Sequence, residues 1–201
     1  MTLASSEVAF ESDGVLLRVA VYGFNQFKKE LKNADASMRK AMDAEIRAIL
    51  TPVAETARGF VQNQPLRNWG PPHDRVRAIP KGGKDKGWNN RIAYDPANIR
   101  KGIKVLQGGR RAKTKADSSA WKISNTSGAG VILETAGRLK SGNGIAGENF
   151  IKALTMHNGS PSRLIWRAWD NSGGENNITR SIVNVVHKYE DELQRLLAAS
   201  D

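Results

Sequence analysis

Hydrophobic positions in this chain fall into two long stripes of helical spacing, one towards each end, with shorter apolar runs between them. From Gln26 to about Gln62, Phe27, Leu31, Ala34 and Met38 line one face, and Met42, Ile46, Ile49, Leu50, Val53, Ala57, Phe60 and Val61 continue it. That spacing predicts an amphipathic helix, either one long helix or two broken near residues 33–37. Pro52 lies inside the pattern and removes a backbone donor, which predicts a kink around residues 48–51. A second stripe runs through Ile178, Ile182, Val185, Val186, Tyr189, Leu193, Leu196 and Leu197, and predicts a C-terminal helix from about Asn177. Ahead of the first stripe, Val15–Tyr22 is rich in β-branched residues and reads as a strand closed by Gly23, with Asn25 placed to cap the helix that follows. Residues 1–14 are polar and read as a flexible arm.

The middle of the chain has another texture. Residues 63–98 hold Pro65, Pro71, Pro72 and Pro80 with a Lys-Gly-Gly-Lys run, the marks of a long irregular insertion anchored by Trp69 and Trp88. Ile99–Leu106 alternates as a strand does, and Trp121–Asn125 reads as its partner. Between them residues 107–119 carry Arg110, Arg111, Lys113 and Lys115, so a β-hairpin with a basic tip is the simplest geometry. Val131–Glu134 reads as a strand or a helix start, Phe150–Met156 as a short apolar run, and Leu164–Trp169 as a further strand leading into the last helix. The expected architecture is α+β. A long kinked N-terminal helix and a C-terminal helix pack on a small, mostly antiparallel sheet, in one domain spanning residues 15–201.

Composition sharpens this. The apolar share is 39% of 201 residues, below the ~45–50% usual on a count that includes glycine, so a modest core with long loops is expected. Cysteine is absent, which excludes disulfides and thiolate metal sites. No apolar run reaches the ~18 residues of a membrane span, and Glu7, Glu11 and Asp13 stand where a signal peptide would be basic. A soluble chain that keeps to its compartment is the expectation. The formal charge of +11 is concentrated: residues 65–130 hold 15 Lys/Arg against 4 Asp/Glu, and the segments on either side are each neutral. Such a block suits a polyanion, or steering towards an acidic protein face, or simply a solvated insertion.

Catalytic chemistry has little to build on. His73, His157 and His187 stand apart, and no nucleophile-elbow, zinc-protease or dinucleotide-binding spacing occurs. Lys81–Lys84 lacks the spacing of a phosphate loop. No cofactor or metal is expected. Glu134, at the end of the most apolar run, reads as solvated or paired with a cation, Arg163 and Arg167 being the candidates for a structural ion pair. Trp69 and Trp88, set among cations, also suit stacking on single-stranded bases. Any nucleic-acid contact by the hairpin tip would be to phosphates, without base readout.

Several of these stretches, taken together, resemble a known family. The residues are Leu31–Phe60 with Pro52, Ile99–Leu106, Val131-Ile132-Leu133-Glu134-Thr135-Ala136-Gly137, and Arg163-Leu164-Ile165-Trp166-Arg167-Ala168 before the last helix. They are similar to the neck, or tail-completion, proteins of long-tailed bacteriophages over roughly two-thirds of the chain. The chain departs from the family pattern in two places. The Pro-x-x-x-Gly-x-Leu step after the long helix is replaced by the basic insertion, and the 140–148 loop is more Gly-rich. The resemblance implies a non-enzymatic virion protein that forms a ring of roughly six or twelve subunits at the head-proximal end of the tail. It would contact other neck and tail proteins, and the basic tip would face DNA in the channel or clamp a neighbour. A tail-terminator or head-closure ring is the neighbouring alternative. A non-specific nucleic-acid-binding protein is the alternative from another class.

Overall fold

A computed structural model describes residues 8–12, 16–21, 24–64, 69, 92–107, 119–137 and 145–199. Its architecture is α+β: a four-stranded antiparallel sheet with helices against one face. The basic tip cations Arg110, Arg111, Lys113 and Lys115, together with Trp88, His73 and most of the 63–98 insertion, lie outside the described residues.

The sheet runs in the order β1-β2-β4-β3. Strand β1 (Val8–Ser12) pairs with β2 (Leu16–Val21), Phe10 opposite Val19. Part of the expected N-terminal arm is therefore an edge strand: Val8 and Phe10 alternate with Ala9 and Glu11, and β2 supplies the backbone partners that so short a segment needs. Strand β4 (Ser119–Asn125) lies between β2 and β3 (Ile103–Gln107), with Val19 opposite Trp121 and Val105 opposite Ile123. The hairpin pairing of β3 with β4 is thus as the alternation suggests.

The first stripe divides into α1 (Phe24–Ala34) and α2 (Ala36–Gly59). The break falls at Asp35, whose backbone is extended and whose carboxylate accepts a 2.6 Å hydrogen bond from the Ser37 amide. An acidic N-cap of this kind starts a helix, so Asp35 rather than Pro52 is where the long helix is interrupted. The helix continues through Pro52 to Gly59, and Met38, Met42, Ile46, Leu50, Val53, Ala54 and Ala57 bury the predicted face.

Three segments take a helix where strand was expected or left open. Ile99–Gly102 is the second half of α3 (Pro96–Gly102), and only from Ile103 does the chain extend. The cause is Asp95-Pro96: the Asp95 side chain accepts from the Asn98 amide at 3.1 Å, and Pro96 occupies the first turn, where no amide donor is needed. Val131–Glu134 belongs to α4 (Gly128–Thr135), capped by Ser127, whose hydroxyl accepts from the Gly130 amide at 3.0 Å. Leu164–Trp169 leads into α6 (Ile165–Asn171) instead of a strand. The apolar run at Phe150–Met156 is the body of α5 (Ile145–Asn158). A π-turn at Glu175–Thr179 precedes α7 (Arg180–Ala198), which packs on α1 and α2 through Ile182, Val186, Tyr189 and Leu193. Among the described residues no helix is long and apolar enough to cross a membrane.

Candidate functional site

Two polar constellations stand out. The first joins the two stretches that carry the family resemblance. Glu134 lies in the last turn of α4 and is fully buried. Its Oε2 accepts hydrogen bonds from the Leu164 amide at 2.7 Å and the Ile165 amide at 3.3 Å, and Oε1 accepts from the Trp166 amide at 3.3 Å. These are the first amides of α6, which has no side-chain cap of its own at Leu164. A carboxylate there supplies the missing acceptors and complements the positive end of the helix.

Arg163 returns the favour in the opposite direction. It is 1% exposed, and its Nη1 donates to the carbonyls of Leu133 and Ala136, both at 2.9 Å, at the C-terminus of α4. Its Nε donates to the Gly159 carbonyl at 2.6 Å, and Nη2 to Thr155 Oγ1 at 3.2 Å, which ties in the end of α5. Each helix terminus thus receives the charge that its dipole favours, from a residue adjoining the other terminus. Burial lowers the Arg163 pKa and the nearby Glu134 charge pushes it back up; the guanidinium stays protonated all the same.

The turns around this lock are shaped to fit. Gly137 has φ +91°, in the left-handed region, and a side chain there would press on Ile151. The glycine of the Glu-x-x-Gly stretch therefore serves the turn that leaves α4. Ser162, just before Arg163, has φ +76°, and its amide donates to the Glu134 carbonyl at 2.8 Å. Arg167 is not a member of this group. It is exposed, and its guanidinium lies over the Phe60 ring, 4.4 Å from the centroid. Arg163 comes just ahead of α6 in non-helical backbone whereas Arg167 is within it, so the two side chains leave in different directions.

The second constellation is at the base of the β3–β4 hairpin. Trp121 is 2% exposed, with Arg47 from α2 5.6 Å and Lys28 from α1 5.9 Å from the ring centroid. Asp43 bonds Lys28 at 2.9 Å and accepts from Gln107 Nε2 at 2.7 Å, which clamps the end of β3 to the helices. Arg58 covers the other end of β3 and donates to the Ile103 carbonyl at 2.7 Å. None of Lys28, Asp43, Arg47 or Gln107 stands out in the sequence. Their one signal is Trp121 itself, a large aromatic in a run that alternates.

Trp69 anchors the insertion as expected. It is buried, its Nε1 donates to the Ile92 carbonyl at 2.9 Å, and its ring meets Tyr94 and Phe150 edge-on at 5.0 and 5.3 Å. A ring held this way has no face left for a nucleobase, which corrects the stacking role considered for it. His157 and His187 are exposed, on α5 and α7. Among the described residues no group of three or more His, Asp or Glu could hold a metal ion. Comparisons of the chain with protein-family models, curated proteins and solved structures find no match.

Proposed function

We propose that this chain is a structural subunit of the neck of a long-tailed bacteriophage, a tail-completion protein that joins head to tail as a ring. The observation that carries the reading is the crossed capping of α4 and α6. The two stretches that resemble the family, Val131–Gly137 and Arg163–Ala168, meet through Glu134 and Arg163. Both carboxylate oxygens and all three guanidinium nitrogens are engaged in holding helix ends. Both side chains are thereby committed to architecture. A ring subunit needs such a fixed scaffold, from which other segments grip a neighbour or face the channel. The hairpin fits that second role: β3 and β4 are clamped at their base, and the connection between them carries Arg110, Arg111, Lys113 and Lys115. The subunit would work in the virion, after assembly in the host cytoplasm, with other neck and tail proteins as partners.

The test is the mass and shape of the purified protein across concentration, by light scattering and negative-stain electron microscopy. Closed rings of roughly six or twelve subunits are expected. A monomer at every concentration that also binds duplex DNA tightly and with steep salt dependence would replace this reading with that of a free nucleic-acid-binding protein.

A further inference from the structure

The end of α5 carries a reactive pair of residues. Asn158 is the last residue of the helix and is followed by Gly159. This is one of two Asn-Gly steps in the chain; the other, Asn143-Gly144, lies outside the described residues. An asparagine before glycine is prone to deamidation, because a residue without Cβ lets its amide nitrogen approach the preceding carboxamide carbon. Part of that geometry is present here. Asn158 is half-buried, and its side chain makes no hydrogen bond among the described residues. Gly159 has φ +83°, and a Cβ built on it would meet open space. The rest is withheld. The Gly159 amide, which would be the nucleophile, donates to the Thr155 carbonyl at 2.9 Å. The Gly159 carbonyl accepts from Arg163 Nε at 2.6 Å. The peptide groups on both sides of this glycine are therefore pinned, one of them by the same guanidinium that caps α4.

We propose that Asn158 is a latent deamidation site, which the lock between α4 and α6 holds shut through Arg163. Once Gly159 is released, its nitrogen attacks Asn158 Cγ. A new N–C bond forms, the Cγ–Nδ2 bond breaks, and ammonia leaves with the proton of the Gly159 amide. Water then opens the cyclic imide at either carbonyl and leaves aspartate or isoaspartate, with no oxidant or reductant involved. Attack requires the Gly159 amide to give up Thr155 and turn towards the side chain, so the rate follows the population in which this turn is open. A hydrogen bond from a charged donor is worth more than a neutral one, which makes the Arg163 bond the stronger of the two restraints. The products act back on the lock. Either one places a carboxylate at the C-terminal end of α5, where the helix dipole disfavours it. Isoaspartate also adds a methylene to the main chain, which would displace the Gly159 carbonyl, one of the four acceptors that hold the guanidinium. Opening of the turn thus admits the modification, and the modification keeps the turn open.

The experiment follows conversion of Asn158 in the full-length protein at mildly alkaline pH, by peptide mapping with mass spectrometry, in native buffer and in guanidinium chloride. Native wild type is expected to convert at least ~10-fold more slowly than the unfolded chain. Arg163→Lys keeps the charge but not the fork of donors. It should convert on the order of 10-fold faster than wild type in native buffer, and at the wild-type rate in denaturant. Val186→Ala opens a cavity at a buried position of α7 and should be less stable without a change at Asn158. Equal wild-type rates in the two solvents, or no rise in Arg163→Lys, would overturn the proposal. So would an equal rise in Arg163→Lys and Val186→Ala, since global unfolding would then govern the reaction. If circular dichroism shows Arg163→Lys unfolded, hydrogen exchange of the Gly159 amide in wild type decides. Slow exchange supports the restraint, and exchange at the rate of an unfolded amide overturns it.

Discussion

The lock between α4 and α6 and the two faces of the hairpin use the same kinds of residue to opposite ends. In the lock, a carboxylate and a guanidinium are sealed from water and matched to helix termini, and their hydrogen bonds are to the chain itself. Around the hairpin, Lys28 and Arg47 place their charge on Asp43 and on an aromatic ring, whereas Lys104 of β3 is exposed. Burial separates the two cases. A charge removed from water must find partners within the fold and so becomes structural. A charge left in water costs the fold little and is available to another molecule.

The largest effect expected from breaking this comparison is in the lock. Arg163→Met or Glu134→Leu alone leaves the other charge buried and several helix ends uncapped, and each should cost about 3–5 kcal/mol in urea denaturation. The double variant should cost less than the sum of the two, since the partners share one network. Single losses below about 1 kcal/mol would show that the crossed caps are not what holds α4, α5 and α6 together.

A smaller effect is expected at the hairpin base. Arg47→Met keeps much of the packing and removes the cation over Trp121, so a loss of about 0.5–1 kcal/mol is expected, with the fold retained. A loss as large as that of Arg163→Met would erase the distinction between the two regions.

The smallest is at the exposed pair between α2 and α7. Lys188 Nζ lies 2.7 Å from Glu45 Oε1, which also accepts from the Tyr189 hydroxyl at 2.8 Å. The Lys188 bond holds the Glu45 carboxyl below its usual range despite some opposing desolvation, while burial, then the Glu45 bond, pushes the Tyr189 hydroxyl up to about 12. A carboxyl whose pKa is lowered on folding stabilises the fold above its unfolded value, and the gain is lost as pH falls through the folded one. Glu45→Gln should therefore be slightly less stable than wild type near neutral pH, and the gap should close as pH falls from the ordinary glutamate range through the lowered folded value. Thermal melts of the two proteins across that interval check the sign. A gap that widens in acid would contradict it.

Much of this was legible in the chain. The stripes from Phe27 and from Ile182 predict the faces that α1, α2 and α7 bury, and the alternation in Trp121–Asn125 predicts β4 and, by parity, that Lys122 faces away from Trp121. Glu134 could be read as a carboxylate ending an apolar run, with Arg163 and Arg167 both candidates for its partner. What misled was the length of the runs. Over seven or eight residues, apolar positions suit a strand and a buried helix equally well, and at Ile99 the deciding signal was the Asp95-Pro96 start just upstream.

The sequence by itself determined which residues are apolar at helical period and where the charge collects, because both depend only on order along the chain. Tertiary structure decided which of two arginines enters the core. Arg163 and Arg167 are four residues apart and alike in local setting, yet one caps α4 and the other lies on Phe60. That outcome depends on where α6 begins, and α6 begins where the Glu134 carboxylate meets its first amides. Partners thirty residues apart bring no signal to one another until the helices pack.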